Sequence, residues 1–181
     1  TSQISTTQAP TSSFFGASVL KPGYTEILME YSEVLFLLSE ANGWSQSYYE
    51  QGVRASMEKW NIDSAKINAF VAALPPANKQ NVLTQKYVSL FMQPFEAWAE
   101  YRRTGYPNTL LLPGQSAALN VATASGQTTY TFTSLIADLT DLPTRIYYPT
   151  TVQTLNTDNY KAASTAIGGD KMNTKLIWDK N

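Results

Sequence analysis

Four stretches between residues 25 and 107 place apolar side chains at three- and four-residue spacing, and each closes on residues that end helices. That pattern commits most of the chain to packed helices before any motif is considered. In the first stretch, Ile27, Leu28, Tyr31, Val34, Leu35, Leu38 and Ala41 predict a helix from about Thr25 that stops at Asn42-Gly43, where glycine suits a left-handed helix end. In the second, Ser47-Tyr48-Tyr49-Glu50 reads as a capping box ahead of a face made by Tyr49, Val53, Met57 and Trp60. Asp63 is placed to cap a third, shorter helix carrying Ile67, Phe70, Val71 and Leu74. Pro75-Pro76 should end it, because proline offers no N–H and restricts its predecessor. Asn78 opens the fourth, where Leu83, Tyr87, Leu90, Phe91, Phe95, Trp98 and Tyr101 form an aromatic stripe as far as Gly105 and Pro107. Pro94 lies inside the stripe and predicts a kink or two helices in series. Helical spacing marks Tyr87, Phe91, Phe95 and Trp98 as core.

The flanks read differently. Residues 1–24 are rich in Ser, Thr and Gln with short apolar pieces, which predicts an extended arm. Beyond Pro113, Leu119-Asn120-Val121-Ala122-Thr123 and Thr129-Tyr130-Thr131-Phe132-Thr133 alternate about Ser125-Gly126, the pattern of a β-hairpin. An extended run through Tyr148-Pro149, a short helix over about 151–163, a turn at Gly168-Gly169 and a docked tail, Leu176-Ile177-Trp178-Asp179, complete the reading. The fold class is mainly α: a tetratricopeptide-like helical pair plus further helices, with a small β-hairpin insertion and long loops. At 181 residues the chain suits one ordinary domain. The pair over residues 25–60 has the length of one tetratricopeptide unit, roughly 34 residues, and no second copy follows. A lone unit leaves its stacking faces open.

Composition removes most chemistries. With 13 basic and 14 acidic residues the net charge is -1, which provides no positive field for a nucleic acid backbone. The chain contains no Cys and no His, so disulfides, thiolate nucleophiles, zinc–histidine sites and histidine triads are excluded within it. No catalytic residue, metal ligand or cofactor motif is indicated: Ser-x-x-Lys, Gly-x-Ser-x-Gly and phosphate-loop signatures do not occur. No apolar run approaches the about 20 residues needed to span a bilayer as a helix. Glu26, Glu30, Glu33, Glu40, Glu50, Glu58, Glu96 and Glu100 could supply a glycosidase-type pair, but their spacing places most of them on solvated helix faces.

Noncovalent recognition remains. Aromatic residues make up 12% of the chain, and rings beside hydroxyl and amide groups are a natural means of holding sugars or peptides. The candidate ligand contacts are Tyr130 and Phe132, on one face of the hairpin, and Trp44, on the turn between the first two helices; packing is the competing role for each. Arg102-Arg103 closes a helix, where cations complement the dipole, and reads as scaffold.

Several of these segments, in order, resemble the C-terminal region of the SusD/RagB family. They are Tyr31-Ser32-Glu33-Val34-Leu35-Phe36-Leu37-Leu38-Ser39-Glu40-Ala41 and Tyr49-Glu50-Gln51-Gly52-Val53-Arg54. Further on come Phe95-Glu96-Ala97-Trp98-Ala99-Glu100-Tyr101-Arg102-Arg103-Thr104-Gly105-Tyr106-Pro107, Leu142-Pro143-Thr144-Arg145-Ile146-Tyr147-Tyr148-Pro149 and Gly168-Gly169-Asp170. The resemblance implies that residues 25–181 are the C-terminal part of a SusD-like helical domain, with an insertion at about 114–140. It also implies a nutrient-binding lipoprotein at the bacterial cell surface, anchored in the outer membrane through an N-terminal lipidated Cys outside this chain. Such a protein captures an oligosaccharide or peptide for a SusC-like TonB-dependent transporter and is not an enzyme. Two other classes compete: a helical adaptor that binds a protein partner and no small ligand, and a carboxylate-dependent glycoside hydrolase.

Overall fold

A computed structural model describes residues 15–120, 125–137 and 139–177. It is mainly helical, with one two-stranded antiparallel sheet among the described residues. The chain divides into two units, Thr1–Glu30 and Tyr31–Asn181. Within the first, the arm expected to be extended contains a single helical turn, α1 (Ala17–Leu20), in which the N–H groups of Val19 and Leu20 donate to the Gly16 carbonyl.

The second unit runs α2 (Tyr31–Ala41), α3 (Gln46–Lys59), α4 (Ser64–Ala72), α5 (Lys79–Ser89), α6 (Pro94–Thr104), β1 (Ser116–Ala118), β2 (Thr129–Thr131), α7 (Thr150–Leu155) and α8 (Thr157–Ala166). The predicted punctuation holds through its middle. Asp63 accepts from the N–H groups of Ala65 and Lys66 at 3.0 and 3.3 Å, and Asn78 from that of Asn81 at 2.9 Å. Pro94 stands in the first turn of α6, where its missing N–H costs nothing, so the fourth stretch is two helices in series. Gly105, at φ 73°, closes α6.

Elsewhere the sequence reading needs correction. The first long helix begins at Tyr31, not Thr25; Leu28 and Met29 are exposed, so helix there would bury no apolar face. The capping box at Ser47 does not form. Ser45 occupies the N-cap, and the Ser47 hydroxyl, already inside α3, accepts from the Gln51 amide. Gln46 ties down the start of α3, donating to Glu50 and accepting the Ala77 N–H at 2.6 Å. The helix over 151–163 is two helices, broken at Asn156, whose φ of -139° is not helical.

The hairpin exists in a different register. Ala117 lies opposite Tyr130, so the first strand is 116–118 and not 119–123; residues 121–124 lie outside the described residues. Pairing starts early because the Gly114 N–H donates to Phe132 O at 2.7 Å and the Phe132 N–H to Gln115 O at 2.9 Å. The expected docking of the tail fails at Ile177, which is 92% exposed; Trp178 and Asp179 lie outside the described residues.

The core gathers where α2, α3 and α5 meet, around Phe36, Tyr49, Val53 and Val82, with Met57, Val71 and Leu74 packed against it. Gly52 lets α2 and α3 approach: a Cβ built there would stand 2.8 Å from the Phe36 ring, which is itself buried. Overpacking of this kind costs about 1–3 kcal/mol, against up to roughly 1 kcal/mol gained by alanine in a helix. Gly52→Ala is expected to lower stability by about 1–2 kcal/mol in urea unfolding, and adding Phe36→Leu to recover part of the loss. A more stable Gly52→Ala chain would show that the ring can swing aside.

Candidate functional site

The hairpin carries two of the three aromatic candidates. Every residue of β1 and β2 is exposed. The Tyr130 ring is about half exposed, at 47%, and Phe132, two residues on, is partly buried. On the opposite face of the ribbon from Tyr130, the hydroxyls of Ser116 and Thr131 lie 2.7 Å apart, each able to donate and accept. Trp44 sits on another element. It follows Gly43 on the α2–α3 turn at φ 66°, its N–H donating to Ser39 O at 2.8 Å, and its side chain packs half-buried against the core cluster.

The aromatic stripe corrects a second expectation. Phe91 and Phe95 are exposed rather than core, and Tyr87 and Trp98 are only partly buried. Tyr87, Phe91 and Trp98 line a feature that periodicity did not announce: an open cleft of about 510 Å³ between α3, α5 and α6. Trp60 from the end of α3, Val88 from α5 and Phe91 from the turn form one side, with Trp60 and Phe91 edge to face at 6.3 Å. Ala97, Trp98 and Tyr101 from α6 form the other. The Trp98 N–H donates to Pro143 O at 2.6 Å, and the Arg102 guanidinium lies 4.6 Å from the Trp98 ring centre. A smaller hollow of about 230 Å³ shares Tyr101 and Leu142 with the cleft and adds Arg102, Asp141 and Lys175. Burial, helped by the Asp141 carboxylate that accepts its hydroxyl at 2.8 Å, pushes Tyr101 up to about 12. Tyr101 thus stays protonated and orients the loop at residue 141.

The carboxylates are less solvated than their spacing suggested. Glu33 and Glu100 are buried, and Glu100, on a helix face that looks polar in sequence, meets a cation from α5. Lys86 of α5 donates to Glu100 at 2.9 Å, and Arg103 binds Glu100 at 2.7 Å while making two 2.7 Å bonds to Glu40 of α2. Glu40 and Glu100 therefore converge on one guanidinium, but hydrolysis requires one carboxyl of a pair to keep its proton. The hydrogen bonds from Arg103 hold Glu40 below its ordinary value against the opposing effect of burial, so it is ionised at neutral pH. Arg103 stands in the last turn of α6, and its guanidinium is committed to Glu40 and Glu100.

The described residues thus form a helical body with a hydroxyl-bearing hairpin, an apolar cleft and carboxylates paired with cations. The SusD-like family model described as starch-binding associating with outer membrane matches residues 2–131, and the chain belongs to that family. A solved structure described as Bacteroidetes AC2a SusD-like is 31% identical with a TM-score of 0.66, covering 86% of this chain and 30% of its own. A second, described as a chitin-binding protein, is 30% identical with a TM-score of 0.62, covering 83% of this chain and 33% of its own. The chain thus spans about a third of the length of these two solved chains. No curated protein matches it.

Proposed function

We propose that this chain helps a cell-surface protein hold an oligosaccharide at the bacterial outer membrane and deliver it to a SusC-like TonB-dependent transporter, without making or breaking covalent bonds. The family match over residues 2–131, to proteins described as starch-binding, carries this reading. The chitin-binding relative and the near-neutral chain, at net charge -1, agree with an uncharged glycan ligand. Tyr130 and Phe132, on one face of the ribbon, are the proposed contacts, the Tyr130 ring stacking on a sugar face. The exposed edge of Trp44 is a third candidate. Among the described residues no helix is long and apolar enough to cross a membrane; anchoring through a lipidated Cys outside this chain belongs to the same proposal.

Calorimetry against starch and chitin oligosaccharides tests it. One ligand should bind, and Tyr130→Ala should weaken that binding about tenfold, the equivalent of about 1.4 kcal/mol, with Tm unchanged because the side chain is half in water. Silence toward every glycan together with tight binding of a protein partner would support the adaptor instead. Sugar release abolished by replacing one Glu would support the hydrolase.

A further inference from the structure

From Gly114 to Ala137 the sequence contains no charged residue and no proline, two of the devices that ordinarily keep an open strand edge from pairing with another chain. The β1–β2 hairpin lies inside this run, forms a sheet of two strands and exposes every residue of both. Its two edges differ. Beside β1, Gly114, at φ 85°, and Gln115 both bond Phe132, a bulge that bends the strand, and Ser116-Ala117-Ala118 has little β-propensity. The other strand reads Thr129-Tyr130-Thr131, β-branched and aromatic, the composition that strands favour. Thr128 and Phe132 bond Leu119 and Gln115, and Tyr130 lies opposite Ala117. By alternation, the N–H and C=O groups of Thr129 and Thr131 point away from β1.

We infer that the outer edge of β2 pairs with the same edge of a second copy of the chain, antiparallel about a two-fold axis at Tyr130, to make a four-stranded sheet. The order Thr-Tyr-Thr is its own complement when turned end for end. Thr129 of each copy then falls opposite Thr131 of the other, and the two exchange N–H···O=C bonds. Tyr130 falls opposite Tyr130 in the non-hydrogen-bonded position, where facing side chains stand closest and aromatic pairs add stability. A run without charges brings no like charges together at this seam, and a two-fold contact closes at the dimer. The rings stand side by side on one face of the sheet, so the inference does not depend on which ligand they hold.

Sedimentation equilibrium of the 181-residue chain tests it. The mass should rise from monomer towards dimer between about 1 μM and about 1 mM, the range of weak association. Thr129→Lys with Thr131→Lys sets like charges opposite one another across the axis and should leave a monomer. Thr129→Lys with Thr131→Glu sets opposite charges there and should restore the dimer. Both positions are exposed, and circular dichroism checks that each variant is folded. Crosslinking gives a second readout, because the sequence contains no Cys. Tyr130→Cys should oxidise to a disulfide-linked dimer, since facing Cα atoms in such a pair lie about 4.5 Å apart, within disulfide reach. Leu155→Cys, on α7 where the native side chain is 87% exposed, should not. A chain that stays monomeric across the range overturns the inference. So does a dimer that survives the paired lysines, a Lys–Glu variant that does not associate, or equal crosslinking at positions 130 and 155.

Discussion

Glu100→Gln is expected to cost about 3–5 kcal/mol, which is a large share of the 5–15 kcal/mol by which domains are ordinarily stable. The reason is Lys86. Its side chain is 3% exposed and its ammonium donates to Glu100 at 2.9 Å, so removing the carboxylate charge leaves a buried cation without its counter-charge. Arg103 suffers less, because it is about half exposed and keeps its two bonds to Glu40. The asymmetry gives a control. Lys86→Met combined with Glu100→Leu removes both buried charges, and such replacements are often neutral or stabilising, so the double variant should recover most of the loss. Urea midpoints for the wild type, both single variants and the pair measure the coupling. A single-variant loss under about 1 kcal/mol would mean that water reaches Lys86 and that the ion pair does not hold α5 to α6.

That network also shows where sequence reasoning stops. Asp63, Asn78, Pro94 and Gly105 announced the helix ends because capping and proline effects are local: the residue and its partner lie within a few positions. Lys86 and Glu100 are fourteen positions apart across a break between helices, and Arg103 reaches Glu40 sixty-three positions back. No periodicity encodes such pairs, so Glu100 looked like a solvated residue. The Ser47 capping box failed for a related reason, since Gln46 anchors the start of α3 through Ala77, thirty-one positions away. The aromatic stripe was legible as a face, but periodicity says only that a face exists and not whether anything covers it. The hairpin was legible as a hairpin, yet its register depended on backbone bonds at Gly114 and Gln115, outside the alternating run. For the candidate site, Tyr130 and Phe132 follow from strand alternation, whereas the cleft required knowing how α3, α5 and α6 come together.

Asp170→Asn is expected to loosen the C-terminal third while sparing the core of α2, α3 and α5. The Asp170 carboxylate is 4% exposed and accepts from Arg145 at 2.6 Å, from the Tyr148 N–H at 3.2 Å, from the Gln153 amide at 3.4 Å and from the Tyr160 hydroxyl at 3.2 Å. It thus joins the turn after Gly168-Gly169 to the 145–148 segment, α7 and α8, two helices that bury no residue of their own. Losing the charge strands the Arg145 guanidinium, itself 7% exposed. A deeply packed pair would cost about 3–5 kcal/mol to break, but this one has only thin cover and is partly screened, so about 2–3 kcal/mol is expected. The pH dependence fixes the mechanism. Burial alone would raise the carboxyl, but Arg145, the Tyr148 N–H and Tyr160 together hold it below its ordinary 3.8. A carboxyl depressed in the folded state contributes fully above its unfolded value and loses that contribution as pH falls through the folded one. The gap between wild type and Asp170→Asn should therefore be constant from pH 7 to about 5 and narrow below about pH 4. Hydrogen exchange should show the opening confined to residues 143–174. A gap that does not change with pH would assign the loss to packing, and exchange spread equally into α2 and α3 would mean that the C-terminal cluster and the core unfold as one.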